Sequence, residues 1–120
     1  MRVLIVEDEV LIALHLAAMV DDLGHEVVDV ATSASEAISA AATHCPDVAL
    51  MAIRLSGGSS GIEAAGEMHA RQGLRCIFLS ANLDAATQRA MLPYEPIAFV
   101  GKPVLPIVLQ RALRKADGSS

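Results

Sequence analysis

Three short apolar runs of this chain end in groups that can hold an anion or a hard cation. Val3-Leu4-Ile5-Val6 runs into Glu7-Asp8-Glu9, Cys76-Ile77-Phe78-Leu79 ends in Ser80, and Ile97-Ala98-Phe99-Val100-Gly101 is followed by Lys102-Pro103. Clustered carboxylates suit Mg²⁺, which takes oxygen ligands and keeps several waters. A hydroxyl and an ammonium suit phosphoryl oxygens, whose developing charge a metal helps to neutralise. A fourth run, Val48-Ala49-Leu50-Met51-Ala52-Ile53, stops differently: Ala52 brings only a methyl. The set lacks a nucleophile, and a carboxylate in place of that methyl would supply it.

Each group alone has an ordinary explanation. Acids after a strand favour the positive end of the following helix. A serine can cap a turn, and a lysine can be a surface cation. The weight lies in their occurring together, at the ends of three strands.

The elements that must position them follow from periodicity. Short unbroken apolar runs bounded by turn residues read as strands buried on both faces. Strands are expected at 3–6, 26–31, 48–53, 75–80 and 97–101. Between them apolar residues recur at helical spacing. Ile12, Leu16, Met19 and Leu23 mark the first helix, stopped by Gly24. Ala34, Ile38, Ala41 and Cys45 give the second its buried stripe, and Pro46 ends it. Ser33-Ala34-Ser35-Glu36 and Ser60-Gly61-Ile62-Glu63 are capping boxes opening the second and third helices. The third runs to Gln72 before Gly73. Asp84 caps a fourth helix from Ala85 to Leu92, and a fifth runs from Val104 or Leu105 to Lys115. Five strands alternating with five helices, joined by short right-handed crossovers, give a doubly wound α/β fold with a five-stranded parallel sheet. All strand C-termini then share one edge, where sites form in such sheets. One domain over residues 1–116 is expected, with a C-terminal tail at 117–120.

Composition narrows the function. The chain has 120 residues, is 53% hydrophobic and carries a net charge of −5. Phe78, Tyr94 and Phe99 are its only Phe, Tyr or Trp residues, so aliphatic residues and Ala must fill the core. Acidity argues against nucleic acid as a direct partner. No apolar run reaches the roughly 18 residues of a membrane span. The N-terminus enters Arg2–Val6 without a long apolar leader, so no signal peptide is expected. Cys45 and Cys76 lack metal-ligand spacing, which reads as a reduced, cytoplasmic protein. The four histidines show no ligand pairing, and Arg111, Arg114 and Lys115 suit a helix C-terminus.

These motifs together resemble the receiver domain of two-component response regulators. Val3 to Glu9 is similar to the receiver's first strand and acid pocket, and Pro46 to Leu55 to its third strand. Ser80-Ala81 matches the hydroxyl–small pair after strand four, and Gly101-Lys102-Pro103 the Lys-Pro after strand five. The resemblance covers nearly the whole chain. It implies a flavodoxin-like (βα)5 sheet in the order 2-1-3-4-5 and a stand-alone signalling switch, not an enzyme. It further implies Mg²⁺ held by Asp8, Glu7 and the Arg54 backbone carbonyl. Ser80 and Lys102 would hold the phosphoryl group, Phe99 would be the switch aromatic, and Lys102-Pro103 would be cis. A histidine kinase or phosphotransfer protein is the implied partner, with homodimerisation through helix 4, strand 5 and helix 5 (Ala86, Ala90, Tyr94, Ile107, Gln110). The stretch 56–62 looks more like that of alphaproteobacterial stress-response regulators.

Ala52 departs from the pattern, standing where receivers have the phosphoacceptor aspartate. Asp47 cannot replace it, lying about 16 Å away at the other end of the strand at the usual rise per residue. No acyl phosphate can form, and Mg²⁺ loses a ligand. Retention of Glu7, Asp8, Ser80 and Lys102 favours an Asp-to-Ala replacement over a natural pseudo-receiver acting as an interaction module. Two other classes fit worse. A haloacid-dehalogenase-like phosphohydrolase using Asp8 needs a second aspartate where Val10 stands. A flavin binder needs a Ser/Thr/Gly loop after strand one, where this chain has three acids.

Overall fold

A computed structural model describes residues 1–55 and 60–118. Much of the stretch 56–62 therefore lies outside the described residues, as do the last two residues of the expected tail. Five strands, β1 (Arg2–Val6), β2 (Glu26–Ala31), β3 (Val48–Ala52), β4 (Cys76–Ser80) and β5 (Ala98–Gly101), form one parallel sheet in the order β2-β1-β3-β4-β5. The helices are α1 (Val10–Asp22), α2 (Ala34–His44), α3 (Gly61–Gln72), α4 (Ala85–Met91) and α5 (Pro106–Asp117). A 3₁₀ turn, Leu92–Tyr94, follows α4.

Strand alternation sorts the core into two layers. Val3, Ile5, Val48, Leu50, Ile77 and Leu79 pack with Leu16 and Val20 of α1 and Leu109 and Leu113 of α5. Leu4, Val6, Ala49, Met51 and Phe78 pack with Ala37 and Ala41 of α2, Ala64, Ala65 and Met68 of α3, and Met91. Alanine on α2 and α3 lets those helices lie close to the sheet. Ala52 belongs to this second layer and is fully buried.

The ends of the elements explain where sequence and structure part. Ser33 Oγ accepts the Glu36 N–H at 3.2 Å, and the Glu36 carboxylate reaches back over the helix start to the Thr32 N–H and hydroxyl. Those Thr32 donors hold the Glu36 carboxyl below its ordinary value. Ser60 accepts from the Ile62 N–H at 3.1 Å, and Asp84 from the Thr87 N–H at 2.7 Å. Cys45 was expected in the buried stripe of α2. It is instead exposed and left-handed at φ 47°, capping the helix one residue before Pro46. Buried Cys76, its thiol pushed up to about 12 by desolvation, is also free. Helix α5 starts at Pro106, whose fixed φ and missing N–H suit the first helical position, and ends only where Gly118 turns left-handed at φ 83°.

Two contacts yield tests. Gly61 N–H donates to the Ile53 carbonyl at 2.7 Å, and a Cβ there would overlap the Ala52 carbonyl. Gly61→Ala should cost about 2 kcal/mol of stability, read as a lower urea midpoint. His25 Nδ1 accepts from the N-terminal ammonium at 2.9 Å. Desolvation first, and that charge second, hold the imidazole below 6.5, opposed by Asp117. The unfolded chain then binds the proton more readily, so stability is lost as pH falls from 6.5 toward the folded value. His25→Gln should flatten that limb in urea unfolding measured across pH.

Candidate functional site

The register sets the cleft. Val6 pairs with Met51, which brings Glu7 level with Ala52, while Leu79 lies opposite Ala52. Ser80 pairs with Gly101, one step before Lys102. A cleft of about 700 Å³ opens past this edge, lined by Glu7, Asp8, Arg54, Ser80 and Lys102 among others. Of the residues singled out from sequence, these five converge. Ala52 lies at the strand end beside them, wholly buried. Asp47 is at the far end of β3, where its carboxylate accepts the Arg2 N–H at 2.8 Å.

Glu7 is the one charged side chain among the described residues that is buried, at 1% exposure. Its Oε1 accepts from Lys102 Nζ at 2.6 Å, and its Oε2 accepts the Asp8 N–H at 3.1 Å. A carboxylate taken out of water needs such partners. Lys102 precedes a cis peptide bond to Pro103. Ser80 Oγ donates to the Asn82 carbonyl and accepts the Asn82 N–H, both at 3.1 Å. Arg54 forms an isolated antiparallel bridge with Ser60. Phe99 lies away from the cleft contacts, half-buried and stacked on Phe78 with ring centroids 5.8 Å apart.

Sequence reasoning missed Asn82, past β4, and Asp84 and Thr87, at the start of α4, as cleft residues. Asp84 was read only as a cap. The Thr87 N–H, then its hydroxyl, hold the Asp84 carboxyl below the ordinary carboxylate value. The signal was present: the β4–α4 loop must open onto the same sheet edge as Ser80. Tyr94, read as part of an outer face, turns inward. Its ring covers Gly66 on α3, where a Cβ would come within 2.9 Å of it. His69 beside it pairs with Glu95 at 3.3 Å.

A model of the response regulator receiver domain matches residues 3–114. The chain belongs to that family. Its receiver is similar to the phyllosphere-induced regulator PhyR of Methylorubrum extorquens, 33% identical over 96% of this chain and 43% of that protein. It is also 38% identical to the transcriptional regulatory protein PdtaR of Mycobacterium tuberculosis, over 67% of this chain and 38% of that one. The chain thus spans under half the length of these relatives. Among solved structures, the receiver domain of a modulated diguanylate cyclase from Desulfovibrio desulfuricans superposes with a TM-score of 0.87 at 34% identity, covering 96% of this chain and 91% of that one. PhyR from Brucella abortus gives 0.82 at 36%, over 96% and 46%.

The buried carboxylate makes the receiver's acid pocket depend on its lysine. Lys102→Met leaves Glu7 buried without its cation and should destabilise the domain by on the order of 3 kcal/mol, measured by urea unfolding at neutral pH.

Proposed function

We propose that this receiver is a phosphorelay module that faces a histidine kinase or phosphotransfer protein, and that Ala52 leaves it unable to accept a phosphoryl group. One observation carries the reading. Glu7, Asp8, Arg54, Ser80 and Lys102 line a single cleft at the end of β3, and that strand ends in a methyl. An aspartate at position 52 would be the nucleophile, its carboxylate oxygen attacking phosphorus in line with the leaving group.

The donor set fits Mg²⁺: two carboxylates and a backbone carbonyl, all oxygen, with waters completing the shell. Among the described residues no three His, Cys, Asp or Glu side chains gather as a cage, and Mg²⁺ does not require one. When bound, the ion would offset charge on the phosphoryl oxygens. Ser80 would release Asn82 and turn toward the phosphoryl group. Phe99 would follow, altering the face of α4, β5 and α5, a two-state element biased by local charge. Leu92, Leu105 and Ile107 are exposed around that face and would serve a homodimer or output contact. For the donor protein, α1 presents Val10, Leu11 and Leu14 at 64%, 83% and 61% exposure, next to Glu9 and Ile12 on the cleft rim. An apolar patch of this kind beside a reactive cleft suits a protein partner. A cytoplasmic location goes with such partners.

The pseudo-receiver reading has one observation in its favour. Lys102 is already neutralised by Glu7, so the pocket is self-consistent without an acceptor.

Incubation with a small phosphodonor and Mg²⁺ separates these roles. The chain as it stands should gain no hydroxylamine-sensitive adduct by mass spectrometry, whereas Ala52→Asp should gain one. Labelling of the unaltered chain, or none in the folded variant, overturns the assignment of position 52.

A further inference from the structure

The acid pocket already holds a cation of the protein's own. Lys102 Nζ lies 2.6 Å from Glu7 Oε1, and the other Glu7 oxygen is taken by the Asp8 N–H. Glu7 is 1% exposed and Lys102 24%, so water screens the pair poorly. The methyl at 52 offers the ammonium no second carboxylate to move to. The cleft is lined by four carboxylates, Glu7, Asp8, Glu9 and Asp84, against two cations, Arg54 and Lys102. Half of its positive charge therefore sits on the deepest acid.

We propose that Lys102 is the resident counter-cation of this pocket, and that its ammonium and a divalent cation compete for Glu7. A metal entering among Glu7, Asp8 and the Arg54 carbonyl meets a like charge a few ångströms away, in a partly desolvated site where such repulsion is strong. It must either displace the ammonium from Glu7 or bind with Glu7 already engaged. This rests on the reading of the acids as a Mg²⁺ pocket. It adds that the lysine, beyond the missing carboxylate at 52, keeps metal affinity low.

Calorimetric titration with MgCl2 tests it. Lys102→Gln keeps an N–H donor for Glu7 and removes the charge, and should bind Mg²⁺ at least about tenfold more tightly than the parent. Lys102→Arg keeps the charge and should show no such gain. Equal or weaker binding in Lys102→Gln overturns the competition. Ala52→Asp with Lys102 intact is titrated beside them as the control for the pocket. Mg²⁺ binding there, with no gain from Lys102→Gln in the unaltered chain, overturns the competition alone; no binding there overturns the Mg²⁺ pocket with it. If Lys102→Gln does not fold, lysine side-chain NMR of the unaltered chain decides. Saturating Mg²⁺ should free the Lys102 ammonium and speed exchange of its hydrogens, and retained slow exchange at saturation refutes the idea.

Discussion

The molecule is organised by the burial of β3 on both faces. Val48, Ala49, Leu50, Met51 and Ala52 are all inaccessible to solvent, with β1 and β4 on either side and a helical layer above and below. A strand so enclosed can offer chemistry only where it stops. That one constraint moves every candidate functional group to the loops past the C-terminal edge, and the parallel register lines up Glu7, Ser80 and Lys102 around it. The same crowding forbids a side chain at Gly61, where the chain returns to the end of β3.

At that edge a second constraint acts. Glu7 is carried inward by the end of β1, and among the described residues its charge is compensated by Lys102, 95 residues later. The first strand's acid is thus matched only when the last strand is in place. Local electrostatics and completion of the sheet are parts of one event, and the cleft acquires its final charge distribution only in the whole domain.

Much of this was legible in the residues. The strands, the Ser33 and Asp84 caps and the left-handed glycines follow from apolar runs and turn chemistry, and the strand order from family resemblance. Four things were not. Helix α1 is apolar nearly all round, so its period did not say that Leu11 and Leu14 face out while Ala13 and Val20 face in. Cys45 falls at helical spacing, but the left-handed turn that caps α2 swings it out of the stripe. The partner of Lys102 spans almost the whole chain, a pairing no local pattern encodes; proximity to the acids was readable, the bond to Glu7 was not. Asp84 and Thr87 escaped notice because a good cap explained the aspartate fully.

The left-handed corner at Cys45 has a practical side. It puts one accessible thiol at the N-terminal end of the sheet, at the opposite pole from the cleft, while Cys76 is sealed inside β4 with its proton held tightly. Thiolate is the reactive form, so alkylating reagents will distinguish the two. A fluorophore or spin label can therefore be attached at a single defined place without mutagenesis. It would sit far enough from the acids, Ser80 and Lys102 to watch the domain tumble, dimerise or meet a partner while leaving its chemistry untouched.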